Sequence, residues 1–497
     1  MDSDSQRLRL WDLLKQVGVY GTGDVFLKVT AVVTVPIYTR IFTPDQYGAW
    51  NVIVTIGGLF TTLLTFGGNT TYCRFFFDAK TAEEKRLVTS TWCIFLSLWS
   101  VSATGICVLL SSALSQWSLE TKQYSILFEL CLAGVPIGLI NETCGQVLRN
   151  EFRAKLFSAL NIVSGILTVG FSIYGAVGLD LGLLGVMGGA LIAAIVMLPV
   201  RLWAVRSMLR PCFSLTILKR MLFFGMPLVP TTLAYWVFGL SDRVLLGKLS
   251  TLDQVGLYGI AASVAGTIGM VNGALGQAWG PIALKMYEED REAASRFFGR
   301  VMTYILLGFG LACVFVTIFA EEVLMILSAP AFYPASAAVG PLALGIVASS
   351  SVHITALSIS LRMKTKYFAY YSWVAAVLNL ILNCIFIPKW GMIAASWATA
   401  ASYTFLTLAY FVTSQRLWAI RYEGRQILLI VASSIGFTIG VTFMPDLGYP
   451  WGVLCKVLYF LVSVFFMSVL GGIDLREWCG LLAAKGYKGI TWLKVKP

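Results

Sequence analysis

Fourteen stretches of about 20 mostly apolar residues run through this chain of 497, and each is long enough to cross a lipid bilayer. They fall at about 17–39, 47–71, 87–112, 123–148, 156–179, 181–204, 219–246, 255–284, 300–320, 334–360, 367–387, 391–414, 426–444 and 450–472. Backbone inside hydrocarbon has no water to bond, so only helices and closed barrels span membranes, and runs of this length select helices. The expected fold class is all-α, a polytopic membrane protein with about 14 transmembrane helices. Composition agrees: 58% of residues are hydrophobic and 12% charged, about half the charge of a soluble domain. Those numbers exclude disordered, collagenous and disulfide-stapled chains. One histidine, and ten cysteines of which no two stand two or four residues apart, leave no recognisable metal or redox motif. The polar, mixed-charge residues 1–16 and the long apolar run after them point to an uncleaved first helix rather than a signal peptide.

The net charge of +12 first suggests an anionic partner, but its distribution carries more information. When alternate connections are assigned to alternate sides, thirty Lys and Arg fall on the side of the N-terminus and six on the other, with Lys28 left inside the first helix. Cationic loops stay in the cytoplasm, so both termini are expected there. One helix more or fewer would scramble this alternation. The basic loops read first as orientation signals and headgroup contacts, and nucleic acid is not an expected partner. Connections on the far side are too short to form a domain.

A repeat organises the helices. Arg40 to Trp50 (RIFTPDQYGAW) aligns with Lys248 to Tyr258 (KLSTLDQVGLY) at an offset of 208, and both copies sit between the first two helices of a half. Six helices per half keep the halves in the same orientation. The expected units are 1–210, 211–416 and an extra helix pair with a cytoplasmic tail at 417–497. Within the repeat, Thr43 and Thr251 suit helix caps, Asp45 and Asp253 suit first turns, and Gly48 and Gly256 permit close packing. This motif therefore reads as architecture.

Arg40 to Gly48, Phe66-Gly67-Gly68 with Arg74-Phe75-Phe76, and Ser241 to Gly247 before Val255 to Tyr258 resemble the polysaccharide biosynthesis flippases of the multidrug/oligosaccharidyl-lipid/polysaccharide exporter superfamily. The resemblance implies two parallel six-helix bundles around a central cavity plus two extra C-terminal helices. It further implies alternating access that carries an undecaprenyl-pyrophosphate-linked oligosaccharide across the bacterial cytoplasmic membrane, for O-antigen or exopolysaccharide synthesis. Membrane lipids, and polysaccharide polymerase and chain-length proteins, are the implied partners. No cofactor is expected beyond coupling to a sodium or proton gradient.

Such a substrate asks for cations opposite its phosphates and polar groups opposite its glycan. Ionisable residues at membrane depth are costly and therefore functional candidates. Lys28 leads, with Asp24 one turn earlier as either its neutralising partner or an ion site. Arg243 and Asp242 follow in the seventh helix; adjacent residues diverge on a helix, so they are poor partners for each other. Arg40 and Lys248 at the far mouth and Arg74 at the near side are further cationic candidates, with snorkelling as the competing role. Glu142, flanked by Asn141, Thr143 and Gln146, suggests a cavity wall and an ion-coupling carboxylate; Glu129, thirteen residues away, lies about 20 Å along the axis and belongs elsewhere. Asn379 and Asn383 share one helix face and suit either sugar hydroxyls or helix–helix packing. Pro227 and Pro230 mark a candidate hinge.

Two other readings compete. A drug/cation antiporter of the same superfamily would favour an acidic cavity. A polytopic glycan polymerase would need a sizeable outer domain, and an acyltransferase would rest on His353 alone. No phosphate-binding glycine loop points to direct use of ATP, so an enzyme is not expected.

Overall fold

A computed structural model describes residues 34–472 apart from 446, 447 and 449. After a helical segment at 34–41, seventeen further α-helices follow in order among these residues, and no strand is present among them. They are α1 (Pro44–Leu64), α2 (Gly68–Asp78), α3 (Ala82–Leu109), α4 (Ser111–Leu119), α5 (Ser125–Asn150), α6 (Ala154–Ile173), α7 (Gly182–Ala204), α8 (Leu215–Gly225) and α9 (Val229–Leu249). After them come α10 (Leu252–Glu289), α11 (Arg291–Ile318), α12 (Ala320–Leu327), α13 (Ser336–Thr355), α14 (Leu357–Leu361), α15 (Lys366–Leu417), α16 (Gly424–Gly440) and α17 (Trp451–Leu470).

Twelve helical segments among the described residues are long and apolar enough to cross a membrane. One of them, α15, is two crossings. Gly391 breaks it with φ 53° and ψ −131°, a conformation that glycine adopts without a Cβ penalty. Its arms return side by side: the hydroxyls of Tyr371 and Thr413 are hydrogen-bonded at 2.7 Å, and those of Ser372 and Tyr410 at 3.3 Å. The fold-back falls between the two spans expected at 367–387 and 391–414. Thirteen crossings are thus described, and most of the expected span 17–39 lies outside the described residues.

The repeat acts as architecture. Thr43 caps α1, accepting from the Gln46 backbone N–H at 3.4 Å while Gln46 Oε1 accepts from the Thr43 N–H at 3.2 Å, a complete capping box. Thr251 caps α10 in the same way, accepting from Gln254 N–H at 3.3 Å. The second copy departs at one point: Gln254 Oε1 accepts from the backbone N–H of Met392 at 3.0 Å, so it braces the turn of α15. The glycines meet each other. A Cβ on Gly48 would collide with the carbonyl of Leu252, and one on Gly256 with the carbonyl of Pro44. Leu252 and Pro44 are themselves 208 residues apart, so the contact is reciprocal, as expected where a two-fold pseudo-axis passes between α1 and α10.

Small residues set other close crossings, as expected where lipid supplies no hydrophobic force between helices. A Cβ on Gly185 or Gly189 of α7 would strike the backbone of Gly175 or Phe171 beside it. The C-terminal pair docks on α11, where a Cβ on Gly310 would meet Ser434 of α16 and Met467 of α17.

Pro227 lies in a 3-10 turn, Met226–Leu228, and Pro230 in the first turn of α9. Proline lacks an N–H, so the helix ladder is interrupted here. The two sides of the break have different neighbours. Met221 of α8 packs in a core with Tyr72, Trp92 and Val147, whereas Phe238 of α9 packs with Ala375, Ala376 and Leu406. Residues 215–225 thus travel with the N-terminal helices although they follow the repeat junction. Pro136 and Pro199 fall inside α5 and α7 without ending them.

Candidate functional site

Asp242, Asn379 and Asn383 converge although 141 residues separate the aspartate from Asn383. Asp242 sits two turns from the C-terminal end of α9, and the fold-back of α15 places both its arms against it. Asn383 Nδ2 donates to Asp242 Oδ1 at 2.8 Å and to Asn379 Oδ1 at 3.0 Å. Tyr258 of α10 donates its hydroxyl to Asp242 Oδ2 at 2.6 Å. The Thr399 hydroxyl lies 2.7 Å from the same Oδ2 and 3.0 Å from the Ala395 carbonyl. Asp242 is 2% exposed, and Asn379 and Asn383 are fully buried.

The chemistry of this cluster is narrow. Its atoms are mostly oxygens: two from the carboxylate, two from amides, two from hydroxyls and one from a backbone carbonyl. Among the described residues no Lys, Arg or His nitrogen comes within ion-pair distance of Asp242. A buried carboxylate without an ion-pair partner costs several kcal/mol; the three hydrogen bonds offset part of that cost, and a proton or a small cation that prefers oxygen ligands would offset more. Asn383 Oδ1 and Asn379 Nδ2 have no hydrogen-bond partner among the described residues.

The other expected residues scatter. Arg243 is half-buried next to Asp242 in the chain and makes no ion pair with it, its Nε buried without a hydrogen bond among the described residues. Glu142 accepts from Asn69 Nδ2 at 2.6 Å and lines a small cleft with Thr65 and Gln146. Arg74 is exposed, 3.6 Å from Asp78 and stacked over Phe224, and so bridges α2 to α8. Lys248 lies over the ring of Trp117 at 4.0 Å, while Arg40 is exposed. Glu129 accepts from the Ser111 hydroxyl, far from Glu142 in role. His353 bonds Asn272 Oδ1 at 2.9 Å, and Asn272 donates to the Ser349 hydroxyl at 3.3 Å, a polar tie between α10 and α13. Lys28 and Asp24 lie outside the described residues.

Asn379 and Asn383, which suit either sugar hydroxyls or helix–helix packing, are fully buried, and Asn383 ties the first arm of α15 to Asp242 of α9. Arg201, near the C-terminal end of α7, is 7% exposed; its Nη2 donates to Asn161 Oδ1 at 2.9 Å and its Nη1 to the Asn141 carbonyl at 3.3 Å, clasping α5, α6 and α7. Tyr258 and Thr399 were missed. Tyr258 is the repeat counterpart of Trp50, so its hydroxyl is the one polar signal that separates the two copies at that position.

Residues 13–287, more than half of the chain, match the family model described as polysaccharide biosynthesis protein. The chain belongs to that family. No curated protein sequence matches it. Among solved structures, the fold is similar to that of the lipid II flippase MurJ in an inward closed conformation, at 14% identity and a TM-score of 0.73, covering 93% of this chain and 99% of that one. An inward-facing multidrug resistance MATE family transporter gives 16% identity and a TM-score of 0.67, covering 79% of this chain and 95% of the other. A mutant of the Vibrio cholerae MATE transporter VcmN gives 13% identity and 0.57, covering 81% and 95%. At these identities the likeness is one of fold. This family member is thus a multi-pass membrane protein built on an architecture shared by a flippase and by drug transporters.

Proposed function

We propose that the protein flips a polyprenyl-pyrophosphate-linked oligosaccharide from the cytoplasmic to the outer leaflet of the bacterial cytoplasmic membrane by alternating access, and that Asp242 couples this movement to a cation gradient. Family membership supports the glycan and the MurJ-like fold supports the flipping mode. The carrying observation is the buried Asp242, without an ion-pair partner among the described residues and held by the hydroxyls of Tyr258 and Thr399 and the amide of Asn383. A site spanning α9, α10 and both arms of α15 changes shape when those helices shift, so occupancy by sodium or a proton biases one conformation over the other. The same fold in multidrug transporters keeps a drug/cation antiporter as the alternative, yet the matched family is one of polysaccharide synthesis. The polymerase and acyltransferase readings have no supporting geometry among the described residues.

The diphosphate requires cations that no neighbouring carboxylate already neutralises. Among the expected cations within the described residues, Arg74 is engaged by Asp78, whereas Arg243, Arg40 and Lys248 make no ion pair with a carboxylate and Arg243 alone of these is beside the cluster. Lys28→Ala and Arg243→Ala are each expected to reduce surface polysaccharide about tenfold, the equivalent of about 1.4 kcal/mol of substrate affinity, at unchanged protein level. Immunoblots of membranes beside polysaccharide gels make the check; full polysaccharide from the double variant contradicts the cationic contact.

The proline break between α8 and α9 is the proposed hinge, because its two sides pack in different cores. Pro227→Ala with Pro230→Ala restores two backbone donors and continues the helix. Transport is expected to fall several-fold while thermal stability in detergent rises or holds. A drop in stability with unchanged transport would mark the prolines as packing elements only.

A further inference from the structure

A second cavity, of about 780 Å³, lies outside the cluster around Asp242, where α16 and α17 close against α12, α13 and the second arm of α15. Glu321, Glu322 and Lys456 stand in its wall. Lys456 Nζ donates to Glu322 Oε1 at 2.8 Å and to Glu321 Oε2 at 3.0 Å, so one ammonium serves two carboxylates. Glu322 Oε2 is buried and has no hydrogen-bond partner among the described residues.

The remaining wall offers acceptors beside the Ser336 hydroxyl and the Trp397 indole N–H. The Thr317 and Thr442 hydroxyls direct their protons to the carbonyls of Cys313 and Ile439, both at 2.7 Å. Pro341 has no N–H to give the carbonyl of Ala337 one turn back, and both residues line the cavity. The rest of the lining is apolar, including Ile393 and Met325. Around the mouth, Trp451, Leu454 and Val457 are exposed on the surface of a membrane-spanning helix, where lipid chains run.

We propose that this cavity is a phospholipid site that selects a primary-ammonium headgroup of the ethanolamine type. Three N–H donors on a compact cation match the orphaned Glu322 oxygen, the Ala337 carbonyl and the hydroxyl oxygens. The charge balance of two carboxylates against one lysine favours a cation, and the third donor of Lys456 remains for the lipid phosphate. The acyl chains would leave over the exposed apolar face of α17. Such a lipid braces the C-terminal helix pair against the second half of the molecule, on the side that the loop charges assign to the outside.

The sharp comparison is between phosphatidylethanolamine and phosphatidylcholine, which have the same net charge, although only the first has N–H donors. Full-length protein in nanodiscs or by native mass spectrometry is expected to retain phosphatidylethanolamine at least tenfold better than phosphatidylcholine. Glu322→Gln is expected to remove that preference while leaving phosphatidylcholine binding unchanged. Gly452→Leu gives a second route: a Cβ there meets nothing within 4 Å and Gly452 lines the cavity, so the larger side chain should lower the retained phosphatidylethanolamine with the protein still folded. Equal retention of the two lipids, or an undiminished preference in both variants, overturns the proposal. So does displacement of the lipid by soluble O-phosphoethanolamine or tetraphenylphosphonium at low micromolar concentration, which would mark a site for soluble cations.

Discussion

Asp242→Asn is expected to lower surface polysaccharide at least tenfold with the protein still folded in the membrane. The substitution keeps the shape of the side chain and one acceptor oxygen for the hydroxyls of Tyr258 and Thr399, which stand 2.6 and 2.7 Å away. What it removes is the charge, and with it the affinity for a proton or sodium ion. Asp242→Ala is a different experiment. It strands the Asn383 amide and the Tyr258 hydroxyl in a fully packed interior, and each unsatisfied buried group costs about 1–3 kcal/mol. Loss of protein is therefore expected from alanine and loss of function from asparagine. Thr399→Val should weaken ion dependence without abolishing it, because one oxygen of several is lost. Gradient-dependent transport by purified Asp242→Asn protein at the wild-type rate would remove Asp242 from the coupling role.

The second large effect is expected at the crossing of α1 and α10. Gly48→Val places a branched side chain where even a Cβ collides with the carbonyl of Leu252, and Gly256→Val does the same against Pro44. The helices must separate, and overpacking of this kind costs about 1–3 kcal/mol. That cost falls on the conformation in which α1 and α10 touch, so the variants should favour states with this end open and lose transport about tenfold or more. Because both glycines belong to one contact, the double variant should be little worse than either single one. Gly105→Val is the control, since a Cβ there meets nothing within 4 Å and it should behave as wild type. Labelling of a cysteine at Asn51, whose side chain abuts Gly259 at this crossing, reads the opening directly. Unchanged labelling and transport in Gly48→Val would show that the crossing stays closed through no demand of the cycle.

Much of this was legible in the sequence because hydropathy and repeat spacing are local signals. The helix spans, the caps at Thr43 and Thr251, and the glycines of the repeat follow from residue types within a few positions of each other. The site was legible only in pieces. Asp242 is an ionisable residue at membrane depth, and Asn379 and Asn383 share a face, so each drew notice alone; that they meet depends on the turn at Gly391, which folds α15 back on α9. Thr399 was hidden because a threonine in an apolar helix ordinarily bonds its own preceding turn, and the 3.0 Å approach to Ala395 shows that local option beside the distant one. The clasp made by Arg201 was not legible because its partners are an asparagine side chain and a backbone carbonyl, which carry no charge signature. The attachment of α8 to the N-terminal helices was invisible for a similar reason: repeat spacing locates a duplication but does not say which body a linker segment packs upon.

The most direct test of the central claim places purified protein in liposomes whose outer leaflet carries a labelled polyprenyl-pyrophosphate oligosaccharide. Wild-type protein is predicted to move label between leaflets at a rate that an imposed sodium or proton gradient changes, and Asp242→Asn is predicted to lose that gradient dependence. Label that crosses no faster than in protein-free liposomes, while an organic cation is exchanged against the same gradient, would contradict the account and favour the antiporter.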